Sequence, residues 1–126
     1  MQTDWPGMTD QLRPQLKNLH GGAPAVMKAF SAMAQAVLEA KALNTKTKEL
    51  LALGIAVATR CDDCIAFHAK AAIEQGASQD EVLETLGIAI YMGAGPSVMY
   101  ASHAFEAFSQ FTAKNSAKAE ARQTGT

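Results

Sequence analysis

Apolar side chains along this chain recur three and four positions apart. Val26, Phe30, Met33, Val37 and Leu38 fall on one stripe of the segment from about Pro24 to Lys41. That period belongs to α-helices and not to strands. The same reading places a first helix over about Thr9 to Leu19, with Gly21 or Gly22 free to take a left-handed stop. Pro24 suits the first turn of the second helix. Asn44 or Thr45 can cap a third helix reaching about Thr59, and a fourth starts near Cys61 and ends at Gly76. Ser78 with Glu81 fits a capping box opening a fifth helix. The stretch "GAGP" at 93–96 breaks it, and a sixth helix restarts near Pro96 and runs to about Lys114. The expected fold is therefore all-α, one domain of about six helices over residues 1–114. The remainder, 115–126, carries few apolar groups and is expected to be a frayed or disordered tail.

Two of these helices do not show a one-sided stripe. Leu50, Leu51, Leu53, Ile55 and Val57 point all around the third helix, as do Leu83, Leu86, Ile88, Ile90 and Tyr91 around the fifth. Helices apolar all round are buried all round, and a domain of 126 residues has little chain with which to surround two of them. Copies of the same chain are the expected cover, so a homo-oligomer is predicted.

Composition narrows the function classes. With 11 basic and 12 acidic residues spread along the chain, no basic stripe marks a nucleic-acid face. The most apolar runs, 50–58 and 86–95, fall short of the roughly 20 residues a spanning helix needs, so no membrane partner is expected. The N-terminal "MQTDWPGMTD" lacks the basic start and apolar centre of an export signal, which predicts a cytosolic, reducing location. "GAGP" is no phosphate loop, because no lysine and serine follow it in the required order, and no cofactor is expected.

The chemistry concentrates in "CDDCIAFHAK", residues 61–70, which holds both cysteines of the chain. At about 100° per residue, Cys61, Cys64 and His68 share one helix face, with His68 one turn beyond Cys64. Close cysteines in a reducing compartment are more often catalytic or metal-binding than structural. A first-turn position and Arg60 favour thiolate, lowering a thiol from about 8.5 toward about 3.5–7.5, whereas Asp62 and Asp63 oppose it. Cys64 is expected to attack, since His68 can take its proton. Cys61, nearer the loop, is expected to resolve the product into a disulfide and to be the more open to a reductant. A zinc site would use Cys61, Cys64 and His68 with Glu49 as fourth ligand, but no second ligand pair stands elsewhere. A redox centre, a zinc site and a structural staple all stay open on spacing alone.

A longer window, "KELLALGIAVATRCDDCIAFHAKAAIEQGAS", adds Glu49 twelve residues before Cys61. This glutamate–CxxC–histidine array resembles the signature of the alkylhydroperoxidase D-like branch of the carboxymuconolactone decarboxylase family, over about residues 40–108. The resemblance implies an all-helical fold assembled as trimers or hexamers. It implies reduction of a peroxide or disulfide substrate, with electrons from an unidentified thiol donor. Catalytic roles carry over to Cys64 as attacking thiol, Cys61 as resolving thiol, and Glu49 and His68 as proton relay. Alkylhydroperoxidase D has a histidine between its cysteines where this chain has Asp63, so one proton carrier is replaced by a carboxylate. The lactone decarboxylases of the family generally lack the cysteine pair, which makes decarboxylation the distant alternative.

Other residues are expected to do structural work. His103 in "MYASHAFEAF" reads as a satisfied interface histidine, and His20 as a favourable helix C-terminal cation. Met27, Met33, Met92 and Met99 read as packing. Trp5, in an N-terminal arm, is expected to anchor against another subunit.

Overall fold

A computed structural model describes residues 2–124; residue 1 and the last two residues of the expected tail lie outside it. Every regular element among the described residues is an α-helix: α1 Trp5–Gly22, α2 Pro24–Leu38, α3 Thr45–Ala58, α4 Asp62–Glu74 and α5 Gln79–Thr124. The all-α expectation holds, with five helices in place of about six.

Local capping chemistry sets most of the boundaries. Asn44 accepts from the Thr47 N–H at 2.8 Å to open α3. Ser78 and Glu81 exchange the two bonds of the capping box at the start of α5, 2.9 and 3.1 Å. Lys46 on α3 reaches Glu81 at 2.9 Å, holding that carboxyl below its ordinary range and tying the starts of α3 and α5 together. Gly76, at φ +83°, ends α4 as expected: its N–H bonds Ile73 O and the next N–H, of Ala77, bonds Ala72 O.

Other boundaries differ from the sequence reading. Helix α1 starts at Trp5 and not near Thr9, because Asp4 accepts from the Gly7 N–H at 3.0 Å and Pro6 sits in the first turn. The left-handed stop expected at Gly21 or Gly22 is not used. The chain turns instead at Ala23, at φ −136° and ψ 63°. Helix α2 closes at Leu38, short of Lys41, where Lys48 Nζ donates to the Val37 and Glu39 carbonyls at 2.7 and 2.6 Å.

The expected break between fifth and sixth helices is a kink within α5. Ala94 alone has non-helical angles there, φ 53° and ψ −137°, and Pro96 follows in the first turn of the second arm. A conformation of this kind is disfavoured for any residue with a Cβ by about 1–3 kcal/mol. One residue earlier, a Cβ at position 93 would meet the side chain of the buried Ser97, so anything larger than Gly93 would have to displace it.

The tail expectation is also corrected. Residues 115–124 continue α5 as helix, yet every one is exposed. Lys, Ala, Glu, Arg and Gln favour helix without tertiary help, which explains a formed backbone with nothing to bury. At 46 residues α5 is long and apolar enough to cross a membrane by length and composition. This length arises because two runs that are short separately join through Ala94. Val82, Leu86, Ala104, Ala107 and Phe108 on its inner side form the core against Leu53 and Val57 of α3 and Ile65, Ala66 and Ala69 of α4.

Helices α3, α4 and α5 thus make the body. Helix α2 buries no residue, and its stripe of Val26, Phe30, Met33 and Val37 is exposed. On the outer side of α3 and α5 an apolar groove of about 330 Å³ runs between Leu51, Ile55, Ile88 and Met92. Tyr91, on the same arm of α5, is 85% exposed.

Trp5 is not a free arm anchored on a neighbour. It is 1% exposed in the chain's own core. Its Nε1–H donates to Glu106 Oε1 at 2.7 Å, and its backbone N–H donates to Gln110 Oε1 at 2.9 Å.

Candidate functional site

The joint between α3 and α4 places the cysteines. Helix α3 ends at Ala58 with Thr59 as its cap, and the next residue, Arg60, takes a left-handed φ of 58°. The Arg60 N–H bonds Val57 O at 3.2 Å and the Cys61 N–H bonds Ala56 O at 3.0 Å. That is the same double-bonded helix stop that Gly76 makes after α4, built here on an arginine. Cys61 therefore closes α3. It also opens α4: its φ and ψ of −111° and 97° are extended, its carbonyl accepts from the Ile65 N–H at 2.9 Å, and its Sγ accepts from the Cys64 N–H at 3.2 Å. A cysteine thus stands where serine or aspartate usually caps.

Cys61 and Cys64 are joined as a disulfide, with Cα atoms 5.2 Å apart. Their exposure runs opposite to the sequence reading. Cys64 is exposed, whereas Cys61 is half-buried, because Cys61 is held from both sides by the two helix ends. The sulfurs that a zinc site would need are bonded to each other here. Among the described residues no cluster of three or more His, Cys, Asp or Glu side chains has a spacing that suits a metal ion.

Glu49 and His68 meet as the sequence array predicts. Glu49, on the inner face of α3, is 3% exposed, and its Oε1 lies 3.3 Å from His68 Nδ1 on α4. A carboxylate this deep is costly without a partner. His68 Nδ1–H supplies one, and that bond leaves Nε2 as the ring's site for taking and giving a proton. Among the described residues Glu49 is the only buried ionisable side chain, and no buried side-chain nitrogen or oxygen lacks a partner.

A second histidine–carboxylate pair stands at the same helix start. His103 Nδ1 lies 2.9 Å from Asp62 Oδ1, so the ring has a partner within its own chain. Its ring packs 5.0 Å from Tyr100 and 5.8 Å from Trp5, centroid to centroid. The pair separated by 41 positions fixes the first turn of α4 to α5. Sequence spacing gave no sign of it. An unaccompanied acid at a helix start and a histidine on an apolar face were the available signals, and neither names the other. Asp63, by contrast, is exposed and has no cationic partner among the described residues.

Comparisons with known proteins agree with this architecture. The sequence profile of the carboxymuconolactone decarboxylase family matches residues 24–107. An uncharacterised protein of Cupriavidus necator is 36% identical over 113 residues, covering 90% of this chain and 100% of that protein. An uncharacterised Haemophilus influenzae protein is 39% identical, covering 86% and 96%. Among solved structures, a carboxymuconolactone decarboxylase family protein from Legionella pneumophila superposes with a TM-score of 0.83 at 45% identity, over 85% of this chain and 96% of that one. A Thermotoga maritima family protein, for which a part in an antioxidative response has been suggested, gives 0.76 at 27% identity, over 93% and 94%.

Proposed function

Because the chain belongs to the carboxymuconolactone decarboxylase family, we propose that its cysteine pair reduces a hydroperoxide or a small disulfide and is recharged by a thiol donor. The observation that carries this reading is the buried Glu49 carboxylate held against His68, one helical turn along from a CxxC pair that closes into a disulfide. A buried acid paired with an imidazole one helical turn from a sulfur nucleophile is an arrangement for moving protons. The antioxidative role suggested for the Thermotoga relative supports the same chemistry.

In this reading the Cys64 thiolate attacks the terminal oxygen of ROOH. The O–O bond breaks, and the departing alkoxide takes a proton from His68, whose imidazolium Glu49 stabilises. Cys64 is left as sulfenic acid. The Cys61 thiolate then attacks the Cys64 sulfur, forming the disulfide and releasing hydroxide, which is protonated to water. One hydroperoxide and two thiols give one alcohol, one water and one disulfide.

Reduced protein mixed with an organic hydroperoxide is expected to lose two thiols per chain with one equivalent of peroxide consumed. Cys64→Ser is expected to consume none. Thiols that survive both hydrogen peroxide and an organic hydroperoxide would exclude peroxide reduction.

The exposed stripe on α2 and the apolar groove between α3 and α5 support a homo-oligomer, for which the family resemblance implies a trimer or hexamer. Exposed apolar surface on this scale is unusual on a monomer. Light scattering is expected to give a mass at least about three times that of the 13.3 kDa chain; a monomer across micromolar concentrations would refute the assembly.

A further inference from the structure

We propose that His103 is a positioning residue of the redox site. It holds the Asp62 carboxylate toward α5 and so keeps that charge from suppressing thiolate at the cysteine pair. The inference rests on the redox reading above in taking thiolate as the working form of the pair.

Asp62 directly follows Cys61 and is the first residue of α4. Main-chain bonds to Ala56 O and from the Ile65 N–H fix Cys61 on both sides, so Asp62 leaves the chain at a set point beside it. A carboxylate so placed disfavours a second anion. An aspartate in the first turn of a helix needs no partner, since the dipole already favours it. Asp63, one residue on, is exposed and has no cationic partner among the described residues. Asp62 has one, and it comes from 41 positions away.

Stability does not account for that pairing. The His103 and Asp62 side chains are 41% and 43% exposed, and pairs this open to water contribute little to folding. The imidazole is nonetheless held in one attitude. Its ring packs on Tyr100, one turn back along α5, and on Trp5 of α1. Trp5 is itself fixed to α5 by Glu106 and Gln110. The ring is thus oriented by its own helix and by α1 before it meets a carboxylate on α4. Order of this extent, for a contact that adds little stability, points to a role in placing the carboxylate.

The balance of charge shows what the placement achieves. Around the cysteine pair stand Arg60 at the joint, Asp62 and Asp63 on α4, and the Glu49–His68 pair between α3 and α4. Around His103 stand Asp62 and, one turn on along α5, Glu106, which accepts from Trp5; α1 presents the uncharged indole. Arg60 is exposed and has no carboxylate within ion-pair distance among the described residues. With Asp62 engaged by the His103 N–H, the joint carries one unmatched cation and one unmatched carboxylate. Without His103 it carries two such carboxylates against one cation, and the balance turns against thiolate. His103 therefore acts through Asp62.

The test follows thiolate absorbance against pH in the fully reduced protein, with iodoacetamide alkylation at pH 6 as a second readout. His103→Phe keeps a ring against Tyr100 and Trp5 and removes the N–H. It is expected to raise the midpoint of thiolate formation by about half to one pH unit, the effect of one unmatched charge at about 5–10 Å near the surface, and to slow alkylation about three- to tenfold. His103→Gln loses the ring but can still donate an N–H to Asp62, so its midpoint is expected within about 0.3 of wild type. Asp62→Asn is expected to lower the midpoint, and His103→Phe in that background to change nothing further. A His103→Phe midpoint equal to wild type would overturn the assignment. So would a larger effect of glutamine than of phenylalanine, or a His103→Phe effect undiminished by Asp62→Asn. Should the phenylalanine variant not fold, an Asp62→Asn midpoint at or above wild type would overturn it alone. No arm uses peroxide, so unmoved midpoints would leave peroxide reduction standing, and thiols inert toward peroxide would leave the midpoints intact.

Discussion

Glu49→Gln is expected to slow thiol loss to an organic hydroperoxide by about 10²–10⁴-fold, the range that a positioned proton carrier contributes. Glutamine keeps the size of the side chain and can still accept from His68 Nδ1–H, so the 3.3 Å contact survives in shape. What it loses is the negative charge that, in the proposed relay, stabilises the imidazolium formed when His68 takes the Cys64 proton. Because Glu49 is 3% exposed, water cannot replace that charge. The fold is expected to stand, since exchanging a buried carboxylate for an amide relieves a desolvation cost. Single-turnover kinetics of reduced Glu49→Gln, with circular dichroism as control, decide the matter. A rate within about threefold of wild type would remove Glu49 from the relay.

Trp5→Ala is expected to destabilise the domain by about 3–5 kcal/mol, as removal of a buried aromatic ring does. The ring is 1% exposed and stands in the core cluster with Phe108 and Ala104 of α5. Trp5→Phe keeps most of the ring but forfeits the 2.7 Å bond from Nε1 to Glu106, for a smaller loss of about 1–3 kcal/mol. Urea unfolding followed by circular dichroism gives both values. A loss below about 1 kcal/mol for the alanine variant would show that α1 is not docked on α5 as described.

The contrast between Trp5 and the capping residues shows what the sequence made legible. Asn44, Gly76 and the Ser78–Glu81 box act within three residues of themselves, so a local pattern is enough to place them. Glu49 and His68 are 19 positions apart, and only the whole array paired them. Trp5 with Glu106 and Asp62 with His103 are joined by the tertiary path of the chain, 101 and 41 positions apart, and no periodicity carries that information. The stop at Arg60 was not legible for a different reason. A left-handed stop is sought where glycine stands, and here the packing of Ala56 and Val57 carbonyls against the next two N–H groups imposes it on an arginine. Residues 115–124, expected as frayed or disordered, bury nothing and still form helix, because helix propensity and burial are separate quantities.

The shared residue between α3 and α4 has a mechanical consequence. Main-chain bonds to Ala56 on one side and Ile65 on the other clamp Cys61 whatever its sulfur is doing. If the pair cycles as proposed, opening and closing it is expected to call for side-chain rotation alone, without melting a turn or swinging a loop. Electrons would then come and go over a scaffold that stands still.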